Sequence, residues 1–66
     1  MNKDLLKGKI FSKGKSIEEI YKSMGISKSA MYRKMNDKSY FTSKEIKKIV
    51  EILELTNVEM NEIFFN

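Results

Sequence analysis

At 66 residues the chain is expected to form one domain, residues 1–66, burying only about 60% of the surface its unfolded form exposes. With no cysteine and no histidine it lacks the side chains of disulfides, thiolate nucleophiles, acyl-transfer triads and ordinary zinc sites, so neither an enzyme nor a metal or cofactor is expected. The formal net charge is +4 and no apolar run approaches the roughly 18 residues of a membrane span, so the expectation is a soluble, intracellular chain.

The first helix is expected from about Lys3 to Ser12, with Leu6 and Ile10 on one face and Leu5 or Phe11 beside it. Gly8 inside it costs up to about 1 kcal/mol of helix propensity, and Gly14 is a plausible stop. A second helix opens on Ser16, with Glu19 three positions on, the capping-box spacing in which each side chain bonds the other's backbone N–H. Ile17, Ile20 and Met24 form its apolar stripe, Gly25 ends it, and Ile26 pins the turn to the core. A third helix starts at Ser27 with Met31 and Met35 facing inward, and Asn36 to Ser39 form its exit. Thr42 with Glu45 opens a fourth helix carrying Ile46, Ile49, Val50 and Leu53. Thr56 with Glu59 opens a fifth, which carries Val58, Met60, Ile63 and Phe64 to its end. Strand-type alternation is absent, and the fold class is all-α: a compact bundle of five short helices around a central helix-turn-helix.

Charge divides the chain in two. Residues 1–48 hold all 13 Lys and Arg against Asp4, Glu18, Glu19, Asp37 and Glu45, whereas residues 49–66 hold no base and Glu51, Glu54, Glu59 and Glu62. That separation suits a polyanion on one side only.

With Met31 and Met35 inward, helical geometry puts Lys28, Ser29, Tyr32, Arg33 and Asn36 on the other side of the third helix. These types suit base edges: Arg33 or Lys28 donates to guanine, Asn36 pairs with adenine, Ser29 adapts, and Tyr32 packs on a thymine methyl or reaches a phosphate. A stripe of this kind is more often a plain solvated face; the glycine turn and the helix before it favour base reading. Lys15 and Ser16 at the start of the second helix are expected to meet phosphates. So are Lys38, Ser39, Tyr40, Thr42, Ser43 and Lys44 around the start of the fourth. Lys7, Lys9, Lys47 and Lys48 are read as solubilising. The Gly14-Lys15-Ser16 triplet lacks the upstream glycine and strand of a phosphate loop and is taken as coincidence.

The stretch Ile17 to Met35 resembles the helix-turn-helix of the phage repressor and Cro-like family, through Ile20, Gly25, Ile26 and Met31. GISKSAMYRKMN, and FTSKEIKKIVEILEL after it, are similar to Cro-type regulators of Gram-positive phages and prophages. The resemblance implies a lambda-repressor-like bundle, base reading at Lys28, Ser29 and Arg33 with Tyr32 beside them, and phosphate anchoring at Ser16 and about Thr42 to Lys44. Two positions depart from the family pattern: Tyr21 stands where a small residue is usual, and Lys34 where an apolar one is usual. Rotating the third helix by part of a turn would exchange Lys34 and Arg33.

The leading expectation is therefore a transcriptional regulator, a Cro-like repressor in the bacterial cytoplasm associated with the nucleoid. It would bind a near-palindromic double-stranded operator as a homodimer, at least on DNA, with no membrane and no small-molecule ligand. A chain this short has no room for a separate oligomerisation domain, which points to Ile63 and Phe65 as dimer contacts, with internal packing of that end as the alternative. From a different class, a protein-binding module (antitoxin-like or an anti-repressor partner) would use the acidic, apolar C-terminal half. A membrane-surface role is disfavoured, because caps and turns interrupt the basic residues.

Overall fold

The computed structural model describes residues 1–65. Among them are five helices and no strand: α1 (Lys3–Ser12), α2 (Ile17–Met24), α3 (Lys28–Met35), α4 (Ser43–Leu53) and α5 (Asn57–Phe64). The all-α bundle expected from the sequence is the fold observed.

Local side chains set where each helix begins. Asn2, Ser16, Ser27, Thr42 and Thr56 each accept the N–H of the residue three positions on, at 3.0–3.1 Å. Glu19, Glu45 and Glu59 complete the boxes by accepting the cap residue's own N–H at 3.1, 2.8 and 2.9 Å. Each cap satisfies an N–H that the helix cannot, and is worth about 1 kcal/mol. The α2 exit is equally local. Gly25 takes φ 70°, a left-handed conformation that a Cβ would penalise, and Ile26 then donates its N–H to the Tyr21 carbonyl at 3.1 Å. The end of α4 repeats this closure without glycine: Glu54 sits at φ 52° and Leu55 donates to the Val50 carbonyl at 3.0 Å.

Every helix contributes to one core of Leu6, Ile10, Ile20, Met31, Met35, Ile49, Leu53, Leu55 and Ile63, all buried. Helix α2 packs on α3 and α4, and α1 packs on α5. The N–H of Asn2 reaches the Ile63 carbonyl at 2.7 Å, so the two ends of the described chain meet.

One sequence expectation needs correction. Ile63, expected at a dimer contact, is completely buried in the core and offers no surface to a second copy. Val58 is 65% exposed, because α5 turns Met60, Ile63 and Phe64 toward the bundle and leaves residues 58, 61, 62 and 65 outside. Of the two residues expected beside the Leu6–Ile10 face, Leu5 packs against the core and Phe11 is 85% exposed. Phe64 meets Phe41 edge-on, with ring centroids 5.6 Å apart, while Phe65 remains outside.

An ion pair between Lys9 and Glu59 ties α1 to α5. The Lys9 ammonium, with the Thr56 N–H, lowers the Glu59 carboxyl from 4.5 to about 2. A depressed carboxyl stabilises the fold above its unfolded value and loses that contribution as pH falls through the folded one. Stability to urea should therefore be flat from pH 7 to about 5 and fall between pH 4.5 and 2. Glu59→Gln retains a cap acceptor and should remove part of that acid-side fall; an unchanged pH profile in the variant means that the pair contributes nothing.

Candidate nucleic-acid interface

Helix α3 turns two apolar anchors inward. Met31 and Met35 are buried, and Lys28, Ser29, Tyr32, Arg33 and Asn36 are exposed on the opposite side. Among the described residues neither Lys28 nor Arg33 has an acidic partner, so their donors face solvent uncommitted. Asn36 is separated from this group in role. It caps the C-terminal end of α3, and its side-chain oxygen accepts from Lys3 Nζ at 2.9 Å. Its neighbour Asp37 lies 3.3 Å from the Met1 ammonium.

Lys34 turns the other way. Its side chain is only 13% exposed, with Nζ 3.0 Å from Glu45 Oε1 and donating to the Tyr40 carbonyl at 2.9 Å. The same ammonium lies 5.9 Å from the centroid of the Phe41 ring. The rotation that would exchange Lys34 and Arg33 is not adopted. Tyr21 is half-buried against the core, which accommodates its ring beside the helix pair.

The two helix N-termini expected to meet phosphates differ electrostatically. At α2, Lys15 and Ser16 are exposed, but Glu18 and Glu19 in the first turn oppose an incoming anion. At α4 the corresponding acid, Glu45, is matched by Lys34. Burial raises the Glu45 carboxyl, yet the Thr42 N–H and the Lys34 ammonium outweigh it and hold the group below the usual range. Thr42, Ser43 and Lys44 therefore form the better anion seat, with Lys44 exposed. The Ser16 and Thr42 hydroxyls accept within their boxes and retain an O–H to donate. Between α3 and α4, Tyr40 is 87% exposed and Lys38 exposed, whereas Ser39 is half-buried.

The family model described as "Protein of unknown function (DUF739)" matches residues 2–66, and so takes in all of these groups but the Met1 ammonium. The chain belongs to the DUF739 family. No curated protein and no solved structure matches it. In this DUF739 chain Lys28, Ser29, Tyr32 and Arg33 are exposed on α3, and Lys38, Tyr40, Thr42, Ser43 and Lys44 are exposed in the loop and the α4 N-terminus that follow along the chain. Nothing in the sequence announces the Lys34–Glu45 contact, because it joins two helices and no spacing rule covers it. The unusual polar residue at an inward position was its only trace.

Proposed function

We propose that this chain is a sequence-specific double-stranded DNA-binding regulator of transcription, Cro-like in its mode of binding. The observation that carries the reading is the α2–Gly25–α3 unit, with Met31 and Met35 seated inward and Lys28, Ser29, Tyr32 and Arg33 outward, none of these four side chains bonded to another among the described residues. An exposed short helix with basic and hydroxyl groups at its N-terminal end fits a major groove, and the neighbouring α4 N-terminus offers phosphate donors that set its register. As a dimer on a near-palindromic operator, two such helices would stand about 34 Å apart on one face of the duplex. The setting that fits this activity is the bacterial nucleoid. Footprinting on the DNA upstream of its own gene tests the reading: a protected inverted repeat is expected, and uniform, sequence-independent protection overturns it.

Phe65, 65% exposed at the end of α5, is the remaining dimer contact. Phe65→Ala should weaken operator binding and reduce its steepness with protein concentration. Unchanged affinity and steepness would remove Phe65 from the dimer.

One observation favours a protein-binding reading instead. Val58 and Phe65 lie one heptad apart on the outer side of α5 with Glu62 between them, all exposed. Salt separates the two readings: phosphate neutralisation makes log K fall steeply with log salt, and an apolar protein contact does not.

A further inference from the structure

Only two side chains of α3 are completely inside the protein, Met31 and Met35. Methionine is unbranched and readily changes rotamer, so a helix seated on two of them is held against the core without a firm choice of rotation. Polar ties supply what the thioethers do not, and they gather at the C-terminal end of α3. Lys3 holds Asn36 at 2.9 Å and the Met1 ammonium lies 3.3 Å from Asp37, both from the α1 side. From the α4 side the tie is Lys34, which reaches the Tyr40 carbonyl at 2.9 Å and Glu45 at 3.0 Å.

Each Lys34 contact ends on a different part of the surface. Tyr40 belongs to the loop that leaves α3, and Glu45 closes the capping box that orders Thr42, Ser43 and Lys44. A single ammonium thus joins the base-facing helix, the loop and the phosphate-facing helix end. We propose that Lys34 is a positioning residue, which touches no DNA and sets the rotation of α3 relative to the α4 N-terminus. This rests on the DNA-binding reading above for its consequence, though not for its geometry. A partly buried ion pair is a poor source of stability, since apolar groups of similar size replace it at little cost. Its use here is geometric: base reading requires groups held to about 10–20°.

The test uses the full chain as Lys34→Met, and as the double variant Lys34→Met with Glu45→Gln. Glutamine retains an oxygen for the Thr42 N–H, and the double variant leaves neither charge unpaired. Two measurements are made. Residual dipolar couplings of the free proteins report the orientation of α3 relative to α2 and α4, which should shift or spread by more than about 10° in both variants. Titrations of operator and non-operator duplexes report preference, which should fall by about tenfold, the scale of one well-aligned base contact, with the salt slope unchanged.

An α3 orientation in the double variant identical to that of the parent overturns the proposal whether or not DNA is bound. So does a preference that survives both substitutions. A salt slope lowered by about one also overturns it, since Lys34 would then be neutralising a phosphate. If the parent protein prefers no sequence, the DNA-binding reading fails by itself, and the couplings still decide whether Lys34 sets the helix rotation.

Discussion

Ile63→Ala should lower the melting temperature by roughly 12–24 °C, the largest stability loss expected of any substitution named here. Truncating a buried isoleucine removes transfer energy and leaves a cavity, together about 3 kcal/mol. In a domain of this size each kcal/mol moves the midpoint by about 4–8 °C. A chain of 66 residues has a total stability of only about 3–10 kcal/mol, so a large unfolded population at room temperature follows at the lower end. Ile63 is completely buried where α5 meets α1, and its carbonyl already receives the Asn2 N–H. Val58→Ala, on the outer side of the same helix, should stay within about 0.5 kcal/mol. Thermal melts followed by circular dichroism compare the two directly. Equal midpoints would mean that α5 does not seat on α1 as described.

If the chain binds an operator as proposed, Arg33→Ala should cost about 1–3 kcal/mol of operator affinity and relax preference at one base pair. The guanidinium is exposed on the side of α3 opposite Met31 and Met35, and among the described residues it has no acid partner to give up on binding. Lys44→Ala provides the contrast. As an exposed charge in the first turn of α4 it should weaken all sequences alike and reduce the salt slope by about one. A panel of single-base operator variants, titrated at several salt concentrations, separates these outcomes. If Arg33→Ala behaves as Lys44→Ala does, Arg33 lies along a phosphate strand and not in the groove.

The helices were legible where a chain neighbour dictates the geometry. Ser16 with Glu19, Thr42 with Glu45 and Thr56 with Glu59 are spaced for reciprocal capping, and all three boxes form. Gly25 was equally readable, because a left-handed residue is needed where α2 turns into α3. Its counterpart Glu54 was not: a glutamate in that conformation carries no sequence mark, and neither does Leu55, which the closure turns into the core. Helix α5 shows a different limit. Eight residues with Val58, Met60, Ile63 and Phe64 among them have apolar groups on more than one side, so which side faces inward depends on α1 and α4. The stripe on α3 was readable from Met31 and Met35, while the commitment of Asn36 to Lys3 and of Lys34 to Glu45 depends on residues distant along the chain.

The hydrogen bond from Asn2 to Ile63 has a consequence for how the chain is made. Synthesis delivers the α2–α3 unit early, yet Leu6 and Ile10 have no lid until α5 arrives. The partner on which α1 packs is thus made only after the other four helices. Until then the segments that bear every Lys and Arg lack α5, and the apolar side of α1 that meets it stays exposed. Folding of the whole domain in one late, cooperative step ends that exposure.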